Sequence, residues 1–235
     1  VGNTYAKELE LFSLPFLFRN YEHWEAVLDG EIGQDFSNLI LEKTGSVKIM
    51  AYWGGSTRNV LAVKAPVLSI VDLQGFKLRL AASELKFSVW EAVGCLPVTI
   101  AFGETYSALA SGLCGGMENE FPSILSAKFF EPAPYITLTE HEITVRPLFM
   151  NADVFNSMDE ELQAALLKAI DEATVLARQY EKEQGEVARD QMVNEYGASL
   201  YEIDKQPIIG ATAEGFSSFG KANGLTEMIE RIQAL

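Results

Sequence analysis

Two arginines carry the most pointed chemistry in this chain. Arg58 closes the glycine-bearing stretch Trp53-Gly54-Gly55-Ser56-Thr57-Arg58-Asn59, and Arg79 lies inside the apolar run Lys77-Leu78-Arg79-Leu80. A guanidinium stays charged at any working pH and offers a planar fork of donors to an anion. Burying one in an apolar strand is costly unless an anion meets it, from the protein or from a ligand. Two such groups beside one pocket would make a carboxylate receptor. Within the chain, Glu91, Glu104 and Glu118 compete as partners for Arg79, and Arg58 could equally be an ordinary loop arginine.

The elements that would position these groups alternate. Strand Phe76–Leu80 leads to helix Ser83–Val93, strand Leu96–Ile100, helix Glu104–Leu113 and a strand near Gly116–Asn119. Short apolar strands separated by short helices indicate parallel βαβ units, which gather ligands at the carboxyl ends of their strands. Arg79, Phe102 and Asn119 fall at or just beyond those ends. Upstream, Leu11–Phe18 contains Pro15 and suits a packed connector better than a central strand. Glu22–Lys43 shows helical spacing with Trp24, Val27, Leu28, Ile32, Phe36, Leu39 and Ile40 inward, and Val47–Trp53 reads as a strand.

Downstream, strand Ile143–Met150 precedes a long helix. Ser157 and Glu160 form a capping-box pattern, and Gly197 offers a stop after Tyr196. An inner stripe runs through Leu162, Leu166, Ala169, Ile170, Ala173, Leu176, Ala177 and Tyr180. At ~1.5 Å per residue the helix would reach roughly 58 Å, enough to bridge two lobes. Gly185 is its candidate bend.

The bulk properties exclude several classes. The chain has 235 residues, is 48% hydrophobic and carries a net charge of −15. That charge opposes nucleic-acid binding, although a local pocket can still be positive. No apolar run reaches the ~18 residues a membrane span requires. Cys95 and Cys114 read as free buried thiols, with one disulfide as the alternative. His23 and His141 lack partners at metal-ligand spacing, so no metal is expected; His141 reads as a hydrogen-bonded structural residue at a strand start. Neither a nucleophile elbow nor a phosphate loop is present, and no catalytic residue or cofactor is assigned. The competing class is an enzyme acting on a carboxylate, with Glu104 or Glu118 as general base.

Six segments in order carry a resemblance: Leu14–His23 (LPFLFRNYEH), Ala51–Asn59 (AYWGGSTRN), Asp72–Leu80 (DLQGFKLRL), Phe102–Gly112 (FGETYSALASG), Gly116–Asn119 (GMEN) and Leu138–His141 (LTEH). Together they resemble the substrate-binding proteins of tripartite ATP-independent periplasmic (TRAP) transporters. The resemblance implies an α/β, two-lobed periplasmic-binding-protein-like fold with crossing strands and a long bridging helix. Lobe I would comprise residues 1–55 and 145–184, and lobe II residues 56–144 and 185–235. Arg79 matches the arginine that pairs with the ligand carboxylate, Arg58 its helper and Asn119 an asparagine bonding the same group. Phe102 matches a pocket aromatic, Trp53 a position against the ligand body, and Arg146 a position that varies with the ligand. Glu120 stands where the family commonly has proline, which alters the loop around Asn119. The family also has βαβ units ahead of the Leu14 segment, so the first lobe is expected to be incomplete. A periplasmic, monomeric receptor is implied, one that passes an organic acid to membrane permease subunits and catalyses nothing.

Overall fold

In the computed structural model, which describes residues 6–235, one six-stranded sheet organises the chain. The first five residues of the expected lobe I lie outside the described residues. After a 3-10 turn at Lys7–Ser13 come α1 (Tyr21–Asp29), α2 (Glu31–Thr44) and β1 (Val47–Ala62). The βαβ units follow as β2 (Lys77–Leu80), α3 (Glu84–Val93), β3 (Leu96–Thr99), α4 (Thr105–Ala110), β4 (Gly116–Glu120) and α5 (Phe121–Ser126). The chain returns through β5 (Tyr135–Asn151), α6 (Ala152–Asn156), α7 (Glu160–Asn194), β6 (Ser199–Tyr201), α8 (Gln206–Asn223) and α9 (Thr226–Ala234). The sheet order is β3-β2-β4-β1-β5-β6, with β2 parallel to β3 and β4, and β1 antiparallel to β4 and β5.

β1 and β5 are the crossing strands. They pair from Val47 opposite Asn151 to Ala62 opposite Tyr135, with three register shifts along the way. The shift between Gly54 and Thr57 falls where the strands pass from one core to the next. Gly54 has φ 118°, and a Cβ there would stand 2.1 Å from the Thr144 carbonyl oxygen, so only glycine fits the crossing. Before it, Ile49 and Tyr52 join a core with Trp24, Phe36 and Ile40. After it, Val60 and Leu61 enter two further cores, one with Trp90 and Leu80, the other with Leu109, Phe129 and Met192. α8 straddles this division, placing Phe216 and Phe219 in the first core and Ile208 in the third, and α9 closes the first core with Ile229 and Ile232.

Several local expectations change. The helix expected over Glu22–Lys43 is two helices that meet at Gly30, because the chain turns a tight corner there. Gly33 permits the approach: a Cβ on it would lie 2.0 Å from the Leu28 carbonyl. The long helix begins at Glu160, and its cap is Asp159 accepting from the Leu162 amide, so Ser157 lies outside it. It continues through Gly185. Its expected stripe is buried only at Ile170; Leu162, Leu176 and Tyr180 are exposed, whereas Ala188 and Met192 pack in the core with α5. Periodicity marks a face, but burial depends on what lies opposite, and the packed half is the one opposite α5 and β1. Both cysteines are free and buried.

Candidate functional site

Arg79 sits where β2 meets the ends of its parallel neighbours. Leu78 and Leu80 turn into the core holding Trp90, which leaves Arg79 on the opposite face. It is only 3% exposed. Its Nε and Nη2 both donate to the Ile100 carbonyl, at 2.9 and 2.7 Å. That uses one edge of the fork; no carboxylate among the described residues lies within ion-pair distance of it. Burial pulls its pKa down, Glu118 pushes back, and the group remains a cation.

Arg58 is held differently. Its Nε and Nη2 clasp the two carboxylate oxygens of Glu118 at 2.5 and 2.9 Å, with Glu142 at 3.9 Å. Lys86 from α3 binds Glu142 at 2.6 Å and stands 4.0 Å from Glu118, while His141 Nε2 meets Glu118 at 3.2 Å. Burial alone would neutralise Glu118, but Arg58, Lys86 and the His141 hydrogen bond hold it far below the usual carboxylate range. Burial also works against the Arg58 charge, and there Glu118 and Glu142 win, raising its pKa. Burial keeps the pKa of His141 low, and its ring is fixed by Thr139 and by edge-on contact with Trp90. His141 is thus hydrogen-bonded as expected, although it lies within β5 rather than at its start.

Asn119 is buried beside this group, its Oδ1 accepting from the Glu120 amide at 3.0 Å. Phe102 follows β3, 51% exposed and edge-on to Phe129. Trp53 and Arg146 do not join them. The Trp53 indole donates to Thr174 on α7 at 2.9 Å, and Arg146 is spent on Glu120 at 2.7 and 2.8 Å and on Glu181 at 3.0 Å. Arg146 is thus held by carboxylates from β4 and from α7.

The internal bonds leave donors over. Arg79 Nη1, Arg58 Nη1 and Asn119 Nδ2 have no acceptor among the described residues. Among the described residues, the buried side-chain polar atoms without a partner are Trp24 Nε1 and Glu181 Oε2, so these three nitrogens are not sealed in. Both oxygens of Glu118 receive Arg58, and His141 meets Oε2 as well. Glu118, His141 and Glu142 could bring ligand atoms within 4.8 Å of one another for a metal, but Arg58 and Lys86 already supply the positive charge there.

Sequence reasoning missed Lys86 and Glu142. The signal for Lys86 was present: it shares the stripe of Val89, Trp90 and Val93 on α3, an odd place for an unpaired cation. Just past β2, a cavity of about 280 Å³ opens among Ala81, Ser83, Lys86, Pro147 and Phe149.

Two long strands crossing between cores, with buried cations and spare donors at the strand ends, describe a two-lobed α/β solute receptor. The chain belongs to the bacterial extracellular solute-binding protein family 7, whose model matches residues 2–219. It is 35% identical over 231 residues to a solute-binding protein of Sulfitobacter sp. strain NAS-14.1, covering 98% of this chain and 69% of that one. It is 33% identical over 165 residues to the 2,3-diketo-L-gulonate-binding periplasmic protein of Escherichia coli K12, covering 70% of this chain and 50% of that one. A solved TRAP periplasmic solute-binding protein from Sulfitobacter sp. NAS-14.1 with bound α-D-taluronate matches with TM-score 0.88 and 34% identity, over 98% of this chain and 75% of that one. The chain thus spans between half and three-quarters of the length of these relatives. The resemblance carried by the six segments is borne out, as is the two-lobed α/β class.

Proposed function

We propose that this chain is a periplasmic receptor that captures a small organic acid and delivers it to membrane permease subunits, as a monomer and without catalysis. The observation that carries the reading is the set of unsatisfied donor ends on Arg79, Arg58 and Asn119. Arg79 takes the ligand carboxylate through its open Nη1–Nη2 end, since Ile100 occupies only the other edge. Arg58, aimed by Glu118, and Asn119 complete the cradle through charge-assisted and neutral hydrogen bonds. Phe102, exposed at the end of β3, supplies an apolar wall on closure. Trp53 and Arg146 act from the crossing, against α7, in support of the hinge rather than on the anion.

The lobes are assigned as 1–55 with 145–184 and 56–144 with 185–235, α8 tying the two together. Closure follows from a ligand that touches both lobes only in the shut state. Two of the relatives named above bind sugar acids, 2,3-diketo-L-gulonate and α-D-taluronate, which supports an acid anchored by its carboxylate. Among the described residues, no helix is long and apolar enough to cross a membrane. The test is calorimetric titration of organic acids. Arg79→Ala should weaken binding of any acid the parent binds by about ten- to a hundredfold, the worth of charged hydrogen bonds. Its melting temperature should stay close to the parent's. Equal affinity in the variant would remove the anchor and the proposal with it.

A further inference from the structure

The cavity beyond β2 bears on which acid fits, an inference that rests on the receptor reading above. Its wall holds Lys86, whose side chain is 12% exposed and which no family motif marks. Lys86 Nζ gives one hydrogen bond, to Glu142 at 2.6 Å. An ammonium has three donors, so that bond leaves two over, with Glu118 4.0 Å away and the cavity alongside. The rest of the wall includes Leu9, Glu10, Ser13, Ser83, Val145 and Phe149, aliphatic surfaces beside acceptors and an aromatic ring. Such a surface suits the body of a hydroxylated carbon chain better than a hydrocarbon.

Charge decides the rest. Around the anchor, Arg58, Arg79 and Lys86 face the two carboxylates of Glu118 and Glu142, so one positive charge is left. One ligand carboxylate balances it. A second would enter a cavity whose wall holds Glu10 and where the charge of Lys86 is already matched by Glu142. A desolvated, unmatched carboxylate is strongly disfavoured.

We infer that the Lys86–Glu142 pair is a specificity device that reads ligand hydroxyls and excludes a second carboxylate, making the site selective for polyhydroxylated mono-acids over dicarboxylates. D-glucuronate and D-glucarate test this, because both are six-carbon hydroxy acids of the same configuration and glucarate carries a second carboxylate in place of the C1 aldehyde of glucuronate. The parent chain should bind glucuronate at least about tenfold tighter than glucarate. Lys86→Gln should weaken glucuronate about tenfold, whereas Glu142→Gln, which frees the Lys86 charge, should tighten glucarate and narrow the gap by a similar factor. The double variant Lys86→Gln/Glu142→Gln removes the pair without net charge change. It should lose glucuronate affinity while circular dichroism shows the parent fold, which covers the case of a single variant that fails to fold. Parent-like selectivity in the folded variants, or a parent preference for glucarate, overturns the inference and leaves the anchor standing. Binding of neither acid, nor of any other organic acid, overturns the receptor reading as well.

Discussion

Replacing Glu118 by glutamine keeps the shape of the side chain and deletes its charge, which isolates the electrostatic role of the cluster. Glu118 is fully buried, clasps Arg58 at 2.5 and 2.9 Å, and has Lys86 at 4.0 Å. Without its charge, Arg58 and Lys86 share Glu142 alone. Removing one partner of a buried ion pair costs about 3–5 kcal/mol, and the retained amide oxygen points to the lower end, ~3 kcal/mol. For a chain of this size each kcal/mol moves the melting temperature by ~2–4 °C, so a fall of roughly 6–12 °C is expected at neutral pH. The pH dependence gives a second readout. Glu118 is depressed well below its ordinary value of 4.5 in the fold, so its contribution is fully present above that pH. It declines as pH falls further, because the unfolded chain takes up the proton first. The melting gap between parent and Glu118→Gln should therefore be level from about pH 8 to 5.5 and close below about 4.5. Thermal melts followed by circular dichroism across that range decide it. A gap under ~2 °C at neutral pH, or one that widens in acid, would refute the view that Glu118 is the charged keystone of the site.

Two further outcomes follow from the fold. Gly54→Ala forces a Cβ to 2.1 Å from the Thr144 carbonyl at a left-handed φ, so it should cost more than about 2 kcal/mol in urea denaturation; a parent-like midpoint would mean that the crossing tolerates a side chain. Burial pushes the Cys95 thiol up to about 12 and raises Cys114 against the opposing pull of Arg79. Ellman's reagent should therefore find neither thiol in the native chain and both after denaturation without reductant; prompt native reaction, or no free thiol once unfolded, would contradict the buried, unpaired state.

The βαβ rhythm was legible because parallel strands with apolar faces alternate with amphipathic helices, and β2, α3, β3 and β4 begin and end close to the expected positions. The double helix at Gly30 was not, since the apolar spacing passes through the corner unbroken: Trp24, Phe36 and Ile40 share one core across it. The α7 stripe misled for the complementary reason. A local period states which side chains can be buried together, and only tertiary neighbours state which are. Arg79 and Asn119 were singled out because their strand ends lie at the mouth of parallel units, a topological property readable from local pattern. Lys86 and Glu142 come from α3 and β5, and their meeting depends on a long-range strand register that no local pattern encodes.

That register also explains why glutamates can share a site with an anion receptor. Arg58 faces Glu142 across the β1–β5 pair and sits two positions from the residue opposite Glu118 on β4. Its carboxylate partners are thus built into the sheet, not recruited from flexible side chains. A guanidinium gripped on one edge cannot swing, so the nitrogen left over is aimed before any ligand arrives and loses little rotamer freedom on binding. Arg79 is gripped in the same way by a neutral carbonyl, which fixes the fork without cancelling its charge. On the proposed reading, orientation and net charge are therefore supplied by different arginines: Arg58 would be the better positioned because it is neutralised, and Arg79 the stronger anchor because it is not.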